Sequence, residues 1–169
     1  MGTEERYEYN EVTLLSPFAV GVPGKRTFFL AMGEKNSWLR IWLEKENLQA
    51  LALAIEQLLF SLSQEGISLP KAAKSSEPSD DTPSGLPSAE LEIVQMTLGY
   101  EEGKAIIELL VRGTGSSEQN PSEVYCRASL AQLRELRSQA ARLCAAGRPL
   151  CPLCGGPIDP AGHNCPKLN

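Results

Sequence analysis

The chain has 169 residues, of which 42% are hydrophobic, so it can bury one substantial apolar core and is not an intrinsically disordered protein. Its net charge of −5 gives it no general affinity for nucleic acid or for anionic membrane surfaces. No apolar run reaches the roughly 20 residues that span a bilayer, and the acidic start is unlike a secretion signal. We therefore expect a cytoplasmic protein with no membrane partner.

The segment GVPGKRTFFL begins with a turn and continues as a strand. Pro23 and Gly24 suit a type II turn, which places Lys25 and Arg26 at the start of the strand. The simpler interpretation is a hairpin tip that is basic because it is exposed. The functional alternative is a contact of Lys25 and Arg26 with an anion or a partner.

The first half of the chain predicts the short strands TFFLAM and WLRIWL, followed by a helix in ENLQALALAIEQLLFSL. Its core-facing stripe comprises Leu48, Leu51, Ile55, Leu58, Leu59 and Leu62. Leu53 and Phe60 lie off that stripe and form a second apolar patch. We predict that this patch is covered by Leu153 and Ile158 of the tail or by the linker, or that it is an interface with a second subunit or a partner protein. The alternative is isolated surface residues of no consequence.

The second half repeats this organisation. Residues 71–90 are rich in Pro, Ser and acid, and predict a flexible linker within a domain spanning 1–148. The runs LEIVQMTL, KAIIELLV and VYCRA then predict strands, and Ser129 with Gln132 forms a capping box before a second helix. The predicted fold is α+β: an antiparallel sheet with two helices on one face, built from a duplicated β-meander-plus-helix unit. The second helix is basic and the first acidic, which favours mutual attraction if they are neighbours.

The tail, residues 149–169, contains three of the five cysteines and the only histidine. Cys151 and Cys154 form a C-x2-C knuckle, and His163 and Cys165 are two residues apart, so an extended segment directs both side chains the same way. Four such ligands fit tetrahedral zinc and leave no position for an activated water. We predict one structural zinc per chain; the alternatives are a redox pair and a disordered tail. Cys126 and Cys144 fit an apolar core better than a metal site.

We identify no catalytic residues. The single histidine is assigned to the metal site, which leaves no Ser-His or Cys-His pair, and no glycine-rich phosphate loop has the required spacing.

Two passages together resemble an uncharacterised bacterial family, a domain of unknown function with a zinc-ribbon-like ending. The first is GVPGKRTFFLA followed by LEKENLQALA, in which Arg26, Thr27, Phe28 and Phe29 match one hallmark. The second is CPLCGGPIDPAGHNCPKLN, which matches the metal-like motif. The resemblance implies gene neighbours of the histidine-phosphatase family and a phosphoinositide-kinase-like protein. It implies no assigned activity.

Our leading functional hypothesis is a non-catalytic adaptor or regulatory protein that presents the zinc knuckle to a protein partner, with the kinase-like and phosphatase-like neighbours as candidates. The first alternative is a nucleic-acid or nucleotide-phosphate binding module that uses the Lys25-Arg26 tip and the arginines of the second helix, Arg134, Arg137, Arg142 and Arg148. The second alternative is an enzyme that acts on a phosphorylated metabolite.

Overall fold

The computed structural model describes residues 5–22, 24–34, 36–71, 83, 85–115, 121–145, 151–156, 158 and 162–168. This part of the chain contains seven strands and two helices, which confirms the predicted α+β class. Their bounds are β1 (Arg6–Tyr9), β2 (Leu14–Val20), β3 (Thr27–Glu34), β4 (Ser37–Leu43), α1 (Lys45–Gln64), β5 (Ala89–Glu101), β6 (Ile106–Thr114), β7 (Pro121–Ser129) and α2 (Leu130–Ala145).

Each half of the chain is a three-stranded antiparallel meander followed by a helix: β2, β3, β4 and α1, then β5, β6, β7 and α2. This agrees with the predicted duplication. The prediction did not include β1 or β2. Pro17 interrupts the strand pattern of β2, and the structure tolerates it because β2 ends the strand order of the sheet. β5 begins at Ala89, inside the predicted linker, of which residues 72–82 and 84 lie outside the described residues.

The prediction of a wholly antiparallel sheet was wrong, because the sheet is mixed. Its strand order is β1-β7-β6-β5-β4-β3-β2, and the pairs β1–β7 and β4–β5 are parallel. The β4–β5 pair is parallel because α1 separates these strands in sequence and returns the chain to the end of the sheet where β4 began.

The sheet must curl, because its two ends are close together in the chain. Seven flat strands span about 29 Å, whereas the link from Tyr9 in β1 to Leu14 in β2 reaches at most about 19 Å. Two hydrogen bonds connect that link to strands near opposite ends of the sheet. Val12 N–H donates to the carbonyl of Arg127 in β7, and Thr13 N–H donates to the carbonyl of Gly33 in β3. The curled sheet therefore wraps round the helices on its inner face.

Both helices pack on that inner face, in one apolar core. Leu48, Ile55, Leu133 and Leu136 are fully buried there, among side chains from every strand. The predicted capping box of α2 is present, since Ser129 N–H donates to Gln132 Oε1 at 2.9 Å and Gln132 N–H donates to Ser129 Oγ at 3.1 Å.

On the outer face, the guanidinium of Arg40 lies over the rings of Phe29, Trp38 and Trp42 and bonds Glu90 at 2.6 Å. Neither helix has the length and apolar character needed to cross a membrane, within the residues that the structure describes.

Candidate metal centre

The four predicted ligands, Cys151, Cys154, His163 and Cys165, come together in the tail and form what we call the Cys/His cluster. Their ligand atoms all lie within 4.8 Å of one another. The sulfurs of Cys151 and Cys165 are 3.9 Å apart, and Cys154 Sγ lies 3.3 Å from His163 Nε2. Tetrahedral zinc places two sulfurs about 3.8 Å apart and a sulfur and a nitrogen about 3.6 Å apart. The cluster therefore has the dimensions of a tetrahedral metal site and could bind a metal ion.

The turn after Cys151 is built by backbone hydrogen bonds and by glycine. Gly155 N–H donates to the carbonyl of Cys151 at 2.9 Å, and Cys151 N–H donates to the carbonyl of Gly156 at 2.8 Å. Gly155 has a φ of 73°, a conformation that suits glycine because a side chain would be strained there. The chain therefore reverses directly beneath the two knuckle sulfurs.

Backbone amides are directed at the cysteine sulfurs. The N–H groups of Cys154 and Leu153, assisted by His163, lower the pKa of Cys151 to about 6. Gly156 N–H donates to Cys154 Sγ at 3.4 Å. These donors stabilise thiolate, the form that binds metal.

Cys165 shows what a bound cation would change in the cluster. The backbone N–H of Lys167 lowers the pKa of Cys165, but burial and the neighbouring thiols of Cys151 and Cys154 outweigh it and raise that pKa. Several thiolates so close together repel one another. A bound metal dication would remove this repulsion and keep all the thiols ionised.

The two other cysteines are not part of the cluster, as predicted. Cys126 is fully buried in β7, and burial raises its pKa to about 12. Cys144 is half-buried against the core, and burial raises its pKa as well. Both are therefore protonated thiols at neutral pH.

Lys25 and Arg26 lie on the turn between β2 and β3, as predicted. Lys25 N–H donates to the carbonyl of Val22 at 2.9 Å, and Gly24 has a φ of 91°, as the third residue of a type II turn requires. Lys25 is exposed and Arg26 half-buried, and neither forms an ion pair with another described residue. Their role as an anion or partner contact stays a prediction.

Leu53 and Phe60 are 55% and 63% exposed, respectively. Leu153 of the tail, a predicted cover for this patch, is itself 49% exposed. No described residue covers the patch, so the interface interpretation stays open.

Two arginines of the basic helix make contacts within the chain. Arg137 Nη2 bonds Glu56 Oε1 of α1 at 3.1 Å, which confirms the predicted attraction between the helices. Arg134 donates to the carbonyl of Pro70. Arg148 lies outside the described residues.

Sequence reasoning missed a groove of about 560 Å³ between α1 and β5. Its lining on α1 is Asn47, Ala50, Leu51, Ala54, Gln57 and Leu58, and its lining on β5 is the run from Ile93 to Leu98. The sequence contained one sign of it: Ala50 and Ala54, four residues apart, place small side chains in one helical row.

Comparison with known families matches residues 7–165 to a family described as "Protein of unknown function (DUF3090)". The chain belongs to DUF3090. The DUF3090 match runs from β1 to Cys165 and so includes the whole Cys/His cluster. Neither the curated proteins nor the solved structures contain a significant match to this DUF3090 chain.

Proposed function

We propose that this DUF3090 protein is a non-catalytic adaptor or regulatory protein whose tail folds around one structural zinc ion per chain. The observation that carries the proposal is the Cys/His cluster, with its four ligand atoms within 4.8 Å. Three thiols and an imidazole suit zinc better than they suit magnesium or calcium, which prefer oxygen ligands. Four protein ligands complete a tetrahedral site, so no metal-bound water is available for hydrolysis.

The rest of the chain supports a binding role rather than catalysis. The only histidine belongs to the cluster, so it cannot serve as a general base elsewhere. The thiols of the cluster also need reducing conditions, and a cytoplasmic setting provides these. The kinase-like and phosphatase-like proteins implied by the family resemblance are the first partners to test.

We do not extend the proposal to nucleic acid, because Arg134 and Arg137 already serve contacts within the chain.

Native mass spectrometry tests the metal. We expect one zinc per chain in the wild type, and none after treatment with a strong chelator or in a Cys154→Ser variant. Cys144→Ser is the matched control, since this thiol lies outside the cluster and the variant should keep its zinc. Zinc lost from Cys144→Ser but kept in Cys154→Ser would contradict the ligand assignment.

A double variant, Leu53→Ser with Phe60→Ser, tests the adaptor role. These exposed side chains contribute little to the core, so the fold and zinc content should be preserved while association with the partner is lost. Val20→Ser with Val22→Ser is the matched control, because both valines are also exposed. Co-purification with the kinase-like and phosphatase-like proteins, measured quantitatively, gives the result. If the two double variants associate with the partner to the same extent, the patch of Leu53 and Phe60 is not the interface.

A further inference from the structure

Within the described part of the chain, one edge of β5 has no strand beside it over most of its length. β5 pairs with β6 along nearly its whole course, from Glu92 to Glu101, but with β4 only from Ala89 to Glu92. β4 ends at Leu43, where the chain turns into α1. No described residue pairs with the backbone of residues 93–98 on the β4 side. We call this stretch the open edge. It leaves backbone donors and acceptors in position to bind another strand.

The open edge forms one wall of the groove between α1 and β5. Ala50 and Ala54 on the opposite wall are exposed and small, and they leave room between helix and strand. Leu51, Leu58, Ile93 and Met96 make the groove apolar. At Val94 a β-bulge interrupts the β5–β6 pairing, and its side chain is 67% exposed. The groove thus combines the unpaired edge of β5 with a row of apolar side chains.

We propose that the open edge and the groove bind an extended segment of a partner protein by strand addition. The backbone of the segment would pair with residues 93–98, and every second side chain would point into the groove. The proposal rests on the proposed adaptor role, because it assumes a protein partner, but it does not require the zinc.

Charge indicates the chemistry of that segment. Beyond Asn47 and Ile93 the groove continues into a smaller cavity lined by Glu44, Glu92 and Trp42. Among the residues that the structure describes, no lysine or arginine lines either cavity. The segment should therefore alternate apolar residues and place a lysine or arginine where it passes Glu44 and Glu92.

Two other occupants fit less well. Residues 72–82 of the chain read AAKSSEPSDDT, which offers no large apolar side chain and carries acid that Glu44 and Glu92 would repel. A second copy of the protein would have to pair its β5 with the β5 of the first copy. The α1 helices of the two copies would then compete for the same space beside that edge. An isolated extended segment avoids both conflicts.

Selection from a phage-displayed library of random linear decapeptides, against the full zinc-loaded chain, provides the probe. Peptides recovered would be synthesised and their affinity measured by fluorescence anisotropy. Ala54→Trp fills the groove at an exposed helix position and should weaken binding by at least about tenfold. Ala141→Trp makes the same change at an exposed position on α2, and should leave affinity within about twofold. Amide hydrogen exchange should slow at residues 93–98 when peptide binds.

The expected peptides alternate apolar residues with one lysine or arginine, and bind the chelated chain as well as the zinc-loaded one. Recovery of no peptide, or of peptides that bind Ala54→Trp with full affinity, would overturn the proposal. A dimer that dissociates in Ala54→Trp would assign the open edge to self-association instead.

Thermal unfolding of Ala54→Trp checks its fold, and Ala50→Trp replaces it if that fold is lost. Peptides that bind only the zinc-loaded chain, with the same affinity for wild type and Ala54→Trp, would support the zinc-dependent adaptor and reject the groove. Peptides that bind the groove of a chain that never holds zinc would support the groove and reject the zinc-dependent adaptor.

Discussion

The sheet-and-helix region and the tail both contain buried cysteines, but they use them in opposite ways. Cys126 lies in an apolar core, where burial raises its pKa to about 12 and keeps the thiol neutral. Cys151 is also buried, with 7% of its surface exposed against 0% for Cys126, yet backbone amides lower its pKa to about 6. Burial alone therefore does not decide what a cysteine does. At Cys151 the N–H groups of Cys154 and Leu153 outweigh burial, whereas burial acts alone on Cys126.

Removing the metal should produce the largest effect, because the tail has no apolar cluster of its own among the described residues. Small zinc sites depend on the ion for folding. Hydrogen-exchange mass spectrometry should show that chelation removes amide protection from residues 151–168, while α1 and α2 keep theirs. Lost protection in both regions would show that the two are not independent.

A core substitution should do the reverse. Leu133→Ala removes a fully buried side chain from α2, and should lower the free energy of unfolding by about 2 to 5 kcal/mol while zinc content stays unchanged. Leu53→Ala makes the same change at a site that is 55% exposed, and should cost less than about 1 kcal/mol. Denaturant titration measures both. A similar cost at the two sites would contradict the described core.

The two cysteine environments also predict a pH dependence. The pKa of Cys126 is raised from about 9 to about 12 in the folded protein, so above pH 9 the unfolded chain loses a proton that the folded chain keeps. The stabilisation is fully present below pH 9 and is lost as the pH rises towards 12. The free energy of unfolding of Cys126→Ala should therefore fall less steeply between pH 9 and 11 than that of the wild type. Parallel slopes would place this thiol in contact with water.

The smallest effect concerns the ion pair between the helices. Arg137 and Glu56 are both partly exposed, with side-chain exposures of 37% and 57%. Their coupling energy in a double-mutant cycle with Arg137→Ala and Glu56→Ala should be about 0.2 to 1 kcal/mol, and should shrink as salt increases. A larger coupling energy would show that electrostatic attraction, and not only apolar packing, holds the two helices together.

Local patterns in the sequence were enough to predict the helices and the Cys/His cluster. The stripe that contains Leu48 and Ile55, the capping box of Ser129 and Gln132, and the close spacing of the four cluster residues all depend on residues near one another in the chain. Each was therefore predictable from spacing alone.

The features that sequence reasoning missed depend on residues far apart in the chain. The parallel pairs β1–β7 and β4–β5 follow from how the sheet curls and where α1 returns the chain. The open edge of β5 exists because β4 ends at Leu43 while β5 continues to Glu101. The residues around Ile93 contain no information about the length of β4, so the open edge could not be predicted from them.

The pairing of β1 with β7 has a consequence for how the protein is made. Arg6 lies opposite Glu123, and Tyr9 opposite Cys126, so among the seven described strands the earliest synthesised pairs with the latest. During synthesis, β1 must wait unpaired while β2 to β6 form, since a nascent chain folds from its N-terminus only as far as partners have emerged. Contacts over such separations also close slowly. The segment from Arg6 to Tyr9 has only four residues, so the strand edge that it exposes during that wait is short.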